Sequence, residues 1–134
     1  MIRLYIILLT LTLTFFLGCS GGGGGGDSGM HHVTYRVSSS SLEPLNITYV
    51  DENGNSQTVS GINLTSTDWT YSFNAPDGKL LSLSAIIEEQ YIPSDQDTSN
   101  IFNILIEVDY VEVKRANLAA KGVPLSIEYT IPTS

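Results

Sequence analysis

The sequence predicts an all-β chain: an antiparallel, immunoglobulin-like β-sandwich of about seven strands behind a flexible glycine-rich tether. Three observations carry this. Short runs such as Phe102, Ile104, Ile106 and Val108 place apolar side chains at every second residue, the alternation of a strand with one buried face. Turn formers, among them Asn53-Gly54 and Pro76-Asp77-Gly78, separate those runs, because they set or tolerate the backbone angles that a reversal needs. The 105 residues from Met30 to Ser134 suffice for one domain with a modest core.

Residues 1–18 precede that domain as a leader. Arg3 is followed by an apolar run ending in Phe15-Phe16-Leu17, then by Gly18, the basic, apolar and small-residue order of a secretory signal. From Leu4 to Leu17 there are 14 residues, which as a helix would span roughly 21 Å against a hydrocarbon core of roughly 30 Å. A removable signal therefore fits better than a permanent membrane helix. Cys19 is the one cysteine of the chain, so it has no partner for an internal disulfide. Leu17-Gly18-Cys19 resembles the lipobox of bacterial lipoproteins. That resemblance implies lipidation of Cys19, cleavage before it, and a membrane partner reached through the attached acyl chains. Residues 19–29 then form the lipidated cysteine and a linker with six consecutive glycines, Gly21 to Gly26. Such a segment has little side chain to bury and much backbone entropy to lose. Ser20, directly after the cysteine, resembles the outer-membrane sorting choice of enterobacterial lipoproteins, so the expected location is the bacterial envelope, at the outer membrane in a Gram-negative host.

Cleavage before Cys19 would leave five basic and 14 acidic residues, a net charge near −9. That balance disfavours nucleic acid and anionic lipid heads as partners.

The domain, 30–134, reads as strands in order. Val33, Tyr35 and Val37 share a face, as do Leu45, Ile47 and Tyr49. Asn53-Gly54 predicts a type I′ hairpin turn returning into Gln57-Thr58-Val59. Trp69, Tyr71 and Phe73 alternate on the next strand, which Pro76-Asp77-Gly78 ends, and Leu81, Leu83 and Ala85 face one side of the strand after it. Residues 90–100 form the longest polar loop. The Phe102–Val108 stripe follows, then Val111 and Val113 across a tight turn at Asp109-Tyr110, and finally Leu125, Ile127, Tyr129 and Ile131. Ala116 to Gly122 has helical preference, but seven residues sustain one turn at most.

Tyr35-Arg36-Val37, Ile47 to Gly54, Trp69 to Ala75, Gly78, Leu81 to Ala85 and Ile106-Glu107-Val108-Asp109 together resemble MmpS-like proteins, small extracytoplasmic domains named from mycobacteria. The resemblance covers residues 33 to about 115. It implies a β-sandwich outside the cytoplasmic membrane and an accessory role beside large envelope exporters. The chain departs from that family in using a lipid anchor in place of a membrane helix, and in having Asp109-Tyr110 where Asp-Gly is usual.

Candidate sites are few. His31 and His32 are adjacent, so on a strand they point to opposite faces and do not share one metal ion. They read as surface histidines at a frayed start. Asp95 and Asp97 begin a segment resembling half a calcium loop, but Asn100 stands where an EF-hand needs glycine and Ile106 where it needs glutamate. Glu107 and Asp109 have the spacing of one strand face, which a solvated edge shares. No Gly-x-Ser-x-Gly or nucleophile with an evident base is present, so no catalytic residue, metal or cofactor is assigned. Trp69 and Tyr71 are ligand-facing candidates, with core or cross-strand packing the plainer reading. The expected function is that of a lipid-anchored envelope interaction domain with a protein partner. The alternative is a binder of small molecules or glycans, assisted by calcium, through Trp69, Tyr71, Asp95 and Asp97. A hydrolase is the third reading.

Overall fold

The computed structural model describes residues 29–40, 44–64, 67–87, 102–118 and 122–134. The leader, Cys19, and the loop holding Asp95 and Asp97 lie outside the described residues. Eight strands form: β1 (Met30–Ser39), β2 (Leu45–Val50), β3 (Ser56–Ile62), β4 (Trp69–Pro76), β5 (Leu80–Ile87), β6 (Phe102–Val108), β7 (Val111–Leu118) and β8 (Leu125–Thr130). They make two four-stranded antiparallel sheets, ordered β4-β1-β6-β7 and β3-β2-β5-β8, packed as a β-sandwich.

The alternation decides which side chains lie between the sheets. Val33, Tyr35 and Val37 from β1, Ile104 and Ile106 from β6, Leu45 and Ile47 from β2, and Leu81 and Leu83 from β5 are fully buried in one cluster. Fully burying each such side chain contributes about 1.5–3 kcal/mol of transfer free energy. Outward positions carry hydroxyl pairs instead: Thr34 with Ser72 at 2.9 Å, Thr48 with Thr58 at 3.0 Å, and Ser84 with Ser126 at 2.9 Å. Each joins neighbouring strands on a face that water reaches.

Two local expectations are corrected. The Asn53-Gly54 hairpin is not type I′. Only Gly54 has a positive φ, at 85°, the Gly54 N–H donates to the Asp51 carbonyl at 3.0 Å, and the Asp51 N–H donates to the Asn55 carbonyl at 2.9 Å. This is the three-residue hairpin form, with glycine in the left-handed position. The Asp51 carboxylate selects it by accepting from the Asn53 and Asn55 N–H groups at 2.9 and 2.8 Å and from Gln57 Nε2 at 2.8 Å. Those bonds, Gln57 foremost, hold the Asp51 carboxyl below its ordinary range.

The paired positive φ angles of a type I′ turn occur instead at Asp109 (51°) and Tyr110 (65°), between β6 and β7. Ala116, Asn117 and Leu118 continue β7 and do not begin a helical turn. Their backbone completes the ladder to Ile104, Asn103 and Phe102, and seven residues of mild helical preference do not outweigh those bonds.

The two ends of the sandwich differ. The turns at 51–55, 77–79 and 109–110 share one end with Gly29, Met30 and the C-terminus, while the connection between Ile87 and Phe102 joins strands at the other. On one lateral side, β7 and β8 approach one another across the sheets.

Candidate functional site

Two clusters of polar and aromatic side chains stand out among the described residues. The first lies at the end where Gly29 enters. His31 continues the inward row of Val33, Tyr35 and Val37, so its ring closes the open end between the sheets. Its Nδ1 lies 2.7 Å from Asp109 Oδ2 and its Nε2 lies 2.8 Å from Asp77 Oδ1. An imidazolium donates to both carboxylates, whereas neutral imidazole donates to one and turns a lone pair toward the other. The His31 pKa is accordingly raised, chiefly by the bond to Asp109 and next by that to Asp77. Both carboxyls are lowered, each chiefly by His31.

The surrounding bonds tie four parts of the chain together. Asp109 Oδ1 accepts from the His32 N–H at 2.9 Å, and the Asp109 N–H donates to the His32 carbonyl at 2.8 Å. The Asp77 N–H donates to the Gly29 carbonyl at 3.1 Å, and Ser134 Oγ donates to Asp77 Oδ2 at 3.4 Å. A Cβ at Gly29 would stand 3.2 Å from both Asp77 Oδ1 and His31 Nε2, so any side chain there would have to displace that pair by a few tenths of an ångström. The His32 ring faces outward and stacks on Tyr110, centroids 4.9 Å apart. Both His31 nitrogens are engaged by carboxylates, so neither is free to accept a substrate's proton. The arrangement acts as a clasp between the start of the described chain at Gly29, two turns and Ser134.

The second cluster fills the lateral gap between β2 and β4. Tyr49 lies 5.2 Å from Trp69 and 4.6 Å from Tyr71, ring centre to ring centre, and Tyr71 lies 5.6 Å from Phe73. Trp69, Tyr71 and Tyr49 are half-buried against the core. The Tyr71 hydroxyl donates to the Glu52 carboxylate, which with partial burial pushes its pKa up to about 12.

Of the residues singled out from sequence, Trp69 and Tyr71 thus stand together, packed across the sheets with part of each ring left to solvent. Cys19, Asp95 and Asp97 lie outside the described residues. Two further expectations are corrected. His31 is not frayed, because β1 begins one residue before it. Glu107 and Asp109 do not share a strand face: β6 ends at Val108, Glu107 pairs with Arg36 at 3.5 Å, and Asp109 turns to His31. The clasp was not evident from sequence since Asp77 and Asp109 are 46 and 78 residues from His31. The one available signal was that His31 extends the period-two row of β1. No protein-family model matches the chain, and no curated protein matches it.

Proposed function

We propose that this chain is a lipid-anchored interaction domain of a bacterial envelope, held to a membrane through Cys19 and presenting its sandwich to an envelope protein, as MmpS-like accessory proteins do. The observation that carries the reading is Leu17-Gly18-Cys19 and its glycine linker leading into one end of the sandwich. The linker enters beside the tight turns, so the end where β5 stops at Ile87 and β6 starts at Phe102 faces away from the anchor. A partner above the membrane would meet that end or the free edge of β4, where strand addition supplies main-chain hydrogen bonds.

Two experiments test this. Cys19→Ser should move the chain from the membrane fraction to the soluble fraction and abolish acyl labelling; retention in the membrane pellet would sink the anchor. Photocrosslinking groups at Asn63, Asp68 and Val123, at the end away from the linker, should capture one defined envelope protein in native membranes. Capture of none, or equal capture from every surface position, counts against a specific partner.

The partly exposed Trp69 and Tyr71 rings favour a second reading, a binder of glycans or small apolar molecules, since stacked aromatics offer flat apolar faces. Trp69 is the chain's one tryptophan, so its fluorescence reports ligand directly. Emission unchanged across a glycan and Ca²⁺ series would dispose of this reading.

A further inference from the structure

We infer that the linker end of the sandwich rests on the lipid surface itself, with Met30, Tyr110 and Val111 in the interfacial layer, so that the domain stands upright on its membrane. The inference rests on the lipid-anchor reading above and adds an orientation and a contact surface to it.

Large apolar side chains exposed among the described residues are Met30 (63%), Leu80 (50%), Tyr110 (81%), Val111 (63%) and Val123 (49%). All but Val123 lie at the end where Gly29 enters: Met30 pairs with Pro76, Val111 closes the turn opposite Val108, and Leu80 opens β5 beside Thr130. Tyr110 is held outward at a positive φ of 65° and stacks on His32, so an amphipathic ring sits at the tip of the turn. Tyrosine and apolar side chains together suit the headgroup boundary, where one part of the group is wet and the other is not.

The carboxylates of the three turns and of the start of β7 each have a hydrogen-bonding or ionic partner, Asp51 with Gln57, Glu52 with Tyr71, Asp77 and Asp109 with His31, and Glu112 with Arg115, so the negative charge that remains at this end is held in fixed pairs. The acidic chain as a whole favours a zwitterionic surface over an anionic one. Length settles the occupant. Ten residues separate Cys19 from Met30, a reach of at most roughly 35 Å, so this end is the part of the domain held nearest the bilayer. Tethering on that scale gives an effective concentration of about millimolar, enough for a small surface to stay engaged.

The test uses the full lipidated chain carrying Tyr110→Trp, reconstituted in phosphatidylcholine vesicles with brominated acyl chains. Emission from the indole introduced at position 110 should be blue-shifted and quenched at least twofold relative to unbrominated vesicles. The wild type, whose Trp69 lies at the opposite end of β4, should show no quenching, and its emission is the baseline to subtract. Adding Met30→Ser and Val111→Ser should relieve the quenching at position 110. A chain that floats with the vesicles while the position-110 indole is unquenched overturns the inference and leaves the anchor standing. A blue shift without quenching shows a protein neighbour, such as a second copy, and also overturns it. A chain that fails to float overturns the anchor and the orientation together.

Discussion

Tyr35 crosses the sandwich and completes the opposite sheet. The β2–β5 ladder is paired through Tyr49 and Leu83, and the next rung would join Val50 to Ser82. The Tyr35 hydroxyl stands there instead, donating to the Val50 carbonyl at 3.0 Å and accepting from the Ser82 N–H at 3.3 Å. Burial pushes the phenol pKa up to about 12. Tyr35→Phe leaves two main-chain groups unpartnered in the interior, and the expected loss is about 1–3 kcal/mol in denaturant unfolding with an unchanged m-value. That Tyr35 is buried was legible in its alternation with Val33 and Val37. That its hydroxyl serves the far sheet was not, because the site is made by β2 and β5, and nothing local to residue 35 encodes where they part. His31 gives a second residue-scale prediction. Its folded pKa is raised, so its contribution is complete below its ordinary value of about 6.5 and is lost as pH rises through the folded value. Asp77 and Asp109 are lowered, so theirs is complete above the ordinary carboxylate range and lost as pH falls through their folded values. The clasp is therefore strongest between those limits. The Tm difference between wild type and His31→Gln should be largest near pH ~5.5 and shrink by pH ~8.5; a difference independent of pH would contradict the charged clasp.

Among the elements, the turns show how side chains choose between hairpin forms. Asn53-Gly54 has the residues for a type I′ turn, yet the buried Asp51 carboxylate collects two loop N–H groups and draws the backbone into another form. Asp109-Tyr110 lacks glycine, yet takes two positive φ angles because His31, His32 and the β6–β7 ladder hold it there. The strand stripes were readable from period alone, since inward rows such as Leu81, Leu83 and Ala85 need only alternation. The turn types were not, because their deciding contacts come from other elements. Gly78 illustrates the energetic side. It occupies φ 75° as the third residue of the turn in which the Lys79 N–H donates to the Pro76 carbonyl at 3.2 Å. A Cβ there meets Thr133 Cγ2 at an ordinary 3.5 Å, so the penalty for Gly78→Ala comes from the backbone alone. The expected destabilisation is about 1–2 kcal/mol, measured by thermal or denaturant unfolding. Ile104→Ala, on the fully buried β6 stripe, should cost about 2–5 kcal/mol by the same measurement.

For the whole molecule, closure depends on the last strand. β8 covers the edge of β5, Ile127 and Ile131 enter the core, and the Gly78 and Ile131 N–H groups bond reciprocally to Ile131 and Lys79 carbonyls at 2.9 and 3.0 Å. A chain ending at residue 124 should therefore show no cooperative melt; a sharp transition from it would refute this dependence. The strand order carries a consequence for biogenesis. β1 pairs with β4 and β6, and β5 with β2 and β8; only β2–β3 and β6–β7 are hairpins between neighbours. A polypeptide emerging N-terminus first holds β1 unpaired until residue 69 onward has emerged, and half-paired until residue 102 onward follows. Pairings so distant in sequence form slowly, in milliseconds to seconds. A nascent chain with this wiring cannot complete its first sheet until β6 and β7 have been made, nor its second until β8 follows, so it gains its folded form only when nearly all of it has been synthesised.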